Sequence, residues 1–162
     1  MKEIEIKEYT EAYKEQIIDL ILHIQQHEFQ IPITKEDQPD LSRIPSFYQV
    51  GGGNFWIAIH KGCVVGTIAL IDIGAKQGAL RKMFVKSAYR GRNYNIAGSL
   101  LQTSIKWASN HNIQDIYLGT TEKFLAAHRF YEKNAFIKIP KENLPEVFPV
   151  MKIDTRFYHL HI

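Results

Sequence analysis

Arg90, Gly91, Arg92 and Asn95 lie between an apolar run that ends at Val85 and a second run that opens at Ile96 with the small residues Ala97, Gly98 and Ser99. The chemistry open to such a segment is the holding of an anion. The first turn of a helix presents unpaired backbone N–H groups and a partial positive charge. Small side chains there let a diphosphate reach the backbone, and the two arginines add cationic donors. No G-x-x-x-x-G-K-[ST] occurs in the chain, so this is not the lysine-containing P-loop, and the dinucleotide fingerprint G-x-G-x-x-G is also absent. Read without its flanks, Arg90-Gly91-Arg92 would equally suit a solvated basic turn.

With its flanks, the segment resembles motif A of the GNAT N-acetyltransferase superfamily, Q/R-x-x-G-x-G/A after a strand. Arg92-Asn93-Tyr94-Asn95-Ile96-Ala97 matches it, with Asn95 where the first glycine belongs. Asparagine adopts left-handed backbone more readily than most residues. A second alignment, starting at Arg90 with two residues inserted before Ile96, stays open. Ile116 to Phe136 resembles motif B of the same family, a strand and then a helix carrying Ala-x-x-x-Tyr, followed by glycine and Phe. Ala127, Tyr131 and Phe136 match; Ala135 replaces the glycine, and Phe124 stands where a cofactor-contacting Asn is common.

The resemblance implies a mixed α/β (α+β) fold in which a mostly antiparallel sheet is flanked by helices, with residues 1–162 as one domain. It implies acetyl-CoA as co-substrate, no metal, and a primary amine on a small molecule or peptide as acceptor. The fourth and fifth strands of that fold splay apart to take the pantetheine arm. By resemblance, Met83, Phe84 and Val85 border that arm, and a backbone N–H near Met83 or Phe84 faces the thioester carbonyl. Arg90, Gly91, Arg92, Asn95, Ile96, Ala97 and Gly98 hold the diphosphate, and Tyr131 serves as acid toward the departing thiol. The base is open: many relatives carry an acid on the fourth strand, whereas this chain has Arg81 and Lys82. Asp72, His27, Glu28 and a water chain are the alternatives. A non-catalytic acyl-CoA-binding or regulatory module is the alternative function. Acylation of aminoacyl-tRNA is a third reading, to which a net charge of +3 lends little support.

These residues need elements to position them. The 162 residues, 45% hydrophobic, with 20 Lys+Arg against 17 Asp+Glu, have the composition of an ordinary folded domain. The single cysteine, Cys63, excludes an intramolecular disulfide and a cysteine-based zinc cluster. No apolar run approaches the ~20 residues of a membrane span, and Met-Lys-Glu-Ile-Glu-Ile has no signal-peptide core. The expectation is a cytoplasmic protein with no membrane or nucleic-acid partner; a homodimer stays open.

Alternation from Ile4 to Tyr9 predicts a strand, and Thr10 is placed to cap a helix running to about His27. Residues 31–53, with Pro32, Pro39, Pro45 and Gly51-Gly52-Gly53, predict a loop with short helical turns. β-Branched runs at 54–60 and 63–72, joined by Lys61-Gly62, predict a hairpin, and 79–85 a third antiparallel strand. Helices at 96–110 and 122–134, a strand at 113–118 between them, and strands at 136–139 and 151–162 complete the order.

Other chemically capable residues read more plainly. Cys63 suits an inert core position, His128 a satisfied histidine, and Phe124, Phe130 and Phe136 a packed aromatic cluster. His159 and His161 lack a third metal ligand. Phe47-Tyr48 and the glycine run either border the acceptor pocket or form a plain surface loop. Tyr131→Phe is expected to lower kcat about 10²–10⁴-fold with CoA affinity nearly unchanged, measured by steady-state kinetics beside titration calorimetry.

Overall fold

The computed structural model describes residues 3–162; Met1 and Lys2, where the N-terminal alternation begins, lie outside them. The alternating and β-branched runs form β1 (Glu5–Glu8), β2 (Asn54–His60), β3 (Cys63–Gly74) and β4 (Gln77–Val85). Both hairpins close on two left-handed residues, Lys61 (φ 50°) and Gly62 (φ 80°), then Ala75 (φ 54°) and Lys76 (φ 61°). That pair of conformations belongs to the turn whose twist matches the flanking strands. The helical periods form α1 (Lys14–Leu22), α2 (Ile44–Phe47), α3 (Ile96–Asn110) and α4 (Leu125–Lys133). β5 (Asp115–Thr120), β6 (Ile137–Ile139) and β7 (Arg156–His161) complete one seven-stranded sheet in the order β1-β2-β3-β4-β5-β7-β6. Among the described residues only β4 and β5 pair in parallel.

The period of two along β2 divides the core between the two sheet faces. Trp56 and Ala58 pack with Leu100, Leu101 and Ala108 of α3. Phe55, Ile57 and Ile59 pack with Ile17 and Ile21 of α1 and with Tyr48 just beyond α2. Two glycines let layers meet. A Cβ on Gly66 would lie 2.9 Å from Ile96 Cγ2, where α3 crosses the sheet, and one on Gly53 would lie 2.5 Å from the Tyr48 carbonyl and 2.7 Å from that of Leu70.

The elements differ from their predicted form in places that have local causes. The first helical segment is a 3₁₀ turn over Glu11–Tyr13, then α1, then a π-helical turn over His23–Glu28. Thr10 does not cap it with its side chain. The Tyr13 N–H that a capping hydroxyl would take instead donates to the Thr10 carbonyl (3.1 Å). Ile113 does not begin β5: its N–H closes the end of α3 on the Ala108 carbonyl (2.9 Å). Met151 does not begin β7, because its N–H donates to the Asp154 carboxylate (2.8 Å) in a local turn. Cys63 is exposed rather than core, at the hairpin end opposite His60.

The glycine run is a pinned turn, not a pocket wall. Asp72 accepts from the Gly52 N–H (2.8 Å) and Trp107 Nε1 donates to the Gly52 carbonyl (2.9 Å). Gly53→Ala is expected to destabilise the fold by about 1–3 kcal/mol, because the new methyl meets two backbone carbonyls that cannot rotate away; urea unfolding at equilibrium measures it.

Candidate active site

β4 and β5 pair only from Gln77↔Asp115 to Leu80↔Leu118. Beyond that register β4 stays with β3 as far as Val85↔Gly66, and β5 stays with β7 as far as Thr120↔Arg156. The two strands therefore part, and each turns an unpaired backbone edge toward a cleft of about 620 Å³. A β-bulge marks the parting. Thr67 faces Phe84 and Ala69 faces Arg81, so Lys82 and Met83 together oppose Ile68. Lys82 carries the strain, with φ 55°, and its carbonyl accepts from Thr67 Oγ1 (2.6 Å).

The residues expected from the sequence to hold the co-substrate, and the candidate acid, border that one cleft: Met83, Phe84 and Val85 on β4, Arg90, Gly91, Arg92, Asn95, Ile96, Ala97 and Gly98 at the entry to α3, and Tyr131 on α4. Asn95 takes the left-handed conformation (φ 51°, ψ 39°) immediately before α3. Its N–H donates to Gly91 O (3.1 Å), and its carbonyl accepts the Ser99 N–H (3.0 Å). The N–H groups of Ile96, Ala97 and Gly98 thus have no intrahelical acceptor. A side chain at Gly98 would collide with the amide of Asn95, which is folded against the first turn.

Arg90 is held in place. Its Nε donates to Val85 O (2.8 Å), and both terminal nitrogens pair with Glu28, Nη2 to Oε1 at 2.8 Å. This pairing engages Glu28, one of the residues weighed as a base. His27 and Asp72 lie outside the cleft lining. Arg92 is exposed and forms no ion pair among the described residues.

Tyr131 is 6% exposed and packs against Phe136 and Tyr158. Burial holds its phenol well above the ordinary range, and nearby Tyr158 adds to the shift. Phe136 belongs to the core, but Phe124 and Phe130 border the cleft. Phe124 meets the rings of Phe29 and Phe84 edge-on at 4.7 and 6.2 Å. His128 is buried, its Nε2 2.9 Å from Thr121 O. His159 and His161 both bond Asp115 Oδ1. No group of three or more potential metal ligands occurs among the described residues.

The sequence reading missed a buried polar network beneath β4. Lys82, 7% exposed, donates to Gln38 Oε1 and lies 3.7 Å from Asp40 Oδ2. Asp40 also accepts from the Tyr48 hydroxyl (2.5 Å), and Gln38 pairs with Gln25 (2.9 and 3.1 Å). Across the cleft, Asp154 lies against Gly119 of β5, where any Cβ would be 2.6 Å from its Oδ2. Burial raises the Asp154 carboxyl pKa, although Arg81 and Lys82 oppose the shift. The one legible hint was the pair Arg81-Lys82 in an otherwise apolar strand; Gln38, Asp40 and Asp154 lie in loops without a spacing rule.

This fold and cleft are those of an acyl-CoA-dependent acyltransferase superfamily, and comparison agrees. The acetyltransferase (GNAT) family model matches residues 18–136, and the chain belongs to that family. A GNAT-family acetyltransferase from Staphylococcus aureus Mu50 superimposes with a TM-score of 0.94 at 44% identity, over 98% of this chain and 99% of that one. The N-acetylaspartate synthetase of Danio rerio is 34% identical over 102 residues, which is 62% of this chain and 36% of that protein. The chain thus spans about a third of the length of that curated relative. A PaiA N-acetyltransferase from Thermoplasma acidophilum, solved in complex with coenzyme A, shares the fold at a TM-score of 0.76 and 17% identity, over 99% of each chain. No helix among the described residues is long and apolar enough to cross a membrane.

Burial lowers the Lys82 pKa from 10.5 to about 8 against the pull of Asp40. Between those values the unfolded chain keeps a proton that the folded chain has lost, so stability owed to this group rises with pH across that window. The unfolding free energy of the wild type, less that of Lys82→Met, is therefore expected to increase by about 3 kcal/mol from pH 7 to pH 10.5. Denaturant titrations of both proteins at the two pH values measure the difference.

Proposed function

We propose that residues 1–162 act as one cytoplasmic N-acetyltransferase domain that transfers acetyl from acetyl-CoA to a primary amine by direct attack. The observation that carries this reading is the parting of β4 from β5 beside a helix start whose amides have no acceptor. Family membership supports it, as does a relative named for making an N-acetyl compound. The absence of extended basic character argues against a nucleic-acid partner. The groups present suit the co-substrate: three free N–H groups for a diphosphate, and two open strand edges for the pantetheine amides.

Acetyl-CoA, when bound, supplies the acetyl thioester. The chain's own groups do the rest. The N–H groups of Ile96, Ala97 and Gly98 bind the diphosphate, with Arg92 adding charge at the rim. Arg90, clamped by Glu28 and Val85 O, braces the turn from Gly91 to Asn95 and acts through position more than direct contact. The bulge aims a backbone N–H of Met83 or Phe84 at the oxygen that gains charge, an interaction worth on the order of 3 kcal/mol.

Tyr131 is protonated at neutral pH as any phenol is, and burial makes it a weaker acid still. A phenol that weak as an acid donates a hydrogen bond to the departing sulfur more readily than it surrenders its proton, which places its contribution near 10²-fold, the low end of the general-acid range. Asp154, mostly buried and facing the cleft, takes the proton from the acceptor amine.

Titration of the protein with CoA or acetyl-CoA is expected to release heat, and absence of heat with both at millimolar concentration would overturn the reading. Ala97→Glu is expected to weaken CoA binding at least 10-fold while leaving the unfolding midpoint unchanged or higher. A carboxylate there favours the helix start but repels a diphosphate.

A further inference from the structure

Arg81 is the last residue of β4 before the bulge, and it borders the cleft. Its guanidinium lies 5.8 Å from the Phe47 ring centre, and its Nη2 meets only the Met151 sulfur (2.7 Å), a weak acceptor. Its Nε is the one buried side-chain nitrogen or oxygen among the described residues that has no hydrogen-bond partner. Arg81 also forms no salt bridge among the described residues. Of the nearby acids, Asp40 is engaged by Tyr48 and Lys82, and Asp154, whose Oδ2 accepts the Met151 N–H, attracts Arg81 through space but forms no salt bridge with it among the described residues.

A half-buried guanidinium with an unsatisfied donor is costly unless something supplies the missing charge. Its planar fork fits a carboxylate in two parallel hydrogen bonds. Lys82, by contrast, already has a carboxylate partner in Asp40 and a hydrogen bond to Gln38.

We propose that Arg81 binds a carboxylate of the acceptor, so that the amine acetylated by this protein belongs to an amino acid or a compound of that class. The inference rests on the acetyltransferase reading and names its substrate. Two charges in the cleft match the two ends of such a molecule. Arg81 on β4 receives the carboxylate, and Asp154, across the gap beside Gly119, receives the ammonium and its proton. Arg81 stands two residues from Met83 on the same strand, so one small molecule spans from the anion site to the thioester. Met151 and Phe47 wall the guanidinium, and the residue itself lines the cleft. Asp154 takes one proton from the ammonium, the free amine attacks the thioester carbonyl, the new C–N bond forms as the C–S bond breaks, and the second proton lost from nitrogen passes to the departing sulfur, which leaves as CoA thiol.

The test measures release of CoA thiol with a panel of L-amino acids, the matching amino-acid amides, and O-phosphoethanolamine, on the wild type, Arg81→Gln and Arg81→Lys. At least one amino acid is expected to exceed its amide in kcat/KM by on the order of 10²-fold. That ratio is expected to fall toward one in Arg81→Gln, mainly through KM, and to remain partly in Arg81→Lys. Amides used as well as the acids would overturn the carboxylate site while leaving the transferase reading intact, and preference for the phospho-amine over every amino acid would overturn it too. If no amine is turned over, calorimetry of the same amino acids against the CoA-saturated protein decides. Heat that is present in the wild type and lost in Arg81→Gln upholds the anion site and overturns the transferase reading; no heat with either protein overturns the site.

Discussion

The parting of β4 from β5 is the constraint on which the rest of this molecule depends. A sheet interior normally satisfies every backbone N–H and carbonyl, and leaving a strand edge open inside a fold is costly. Here both strands keep their outer partners, β3 and β7, through the full length of the gap, so the open edges cannot close on each other. The bulge at Lys82 and Met83 turns the end of β4 away, held by the Thr67 hydroxyl on the Lys82 carbonyl. What results is a rigid slot whose walls are main chain, with a helix start at one end.

Beneath the slot lies a second commitment, the polar network of Lys82, Asp40, Tyr48, Gln38 and Gln25. Charges buried this deeply add little net stability, because desolvation consumes most of their attraction. Their effect is to fix the conformation of residues 31–43, which lack regular structure apart from one 3₁₀ turn over Pro39–Ser42. The π-helical turn at His23–Glu28 serves the same region from the other side, bringing Gln25 into the network and Glu28 onto Arg90. Buried charge therefore collects along the cleft, while the two apolar layers remote from it follow ordinary alternation.

Much of the architecture was legible because apolar spacing reports burial directly. The hairpins, the meander and α3, whose bounds match the prediction, follow from period-two and period-3.6 patterns that have one stable reading each. The errors fall at element ends, where a hydrogen bond chooses between two allowed continuations: Ile113 closing α3, Met151 held by Asp154, Thr10 losing its donor to its own carbonyl. Cys63 was misread because residues 64–70 that follow it on the strand are buried without interruption, and nothing in their composition marks the exposed first position.

The same division holds for the site. Local order along the chain determined the turn from Arg90 to Asn95, the small residues that open α3, and Tyr131 on the following helix, because each is set by neighbours a few positions away. Only the tertiary structure decided that Arg90 is spent on Glu28, that Lys82 is buried against Asp40, that Asp154 faces the gap at Gly119, and that Arg81 forms no salt bridge among the described residues. Those pairs join residues as far apart as 62 positions along the chain, Glu28 with Arg90. Pairing at that distance depends on how layers pack, and no period or motif in the linear chain records it.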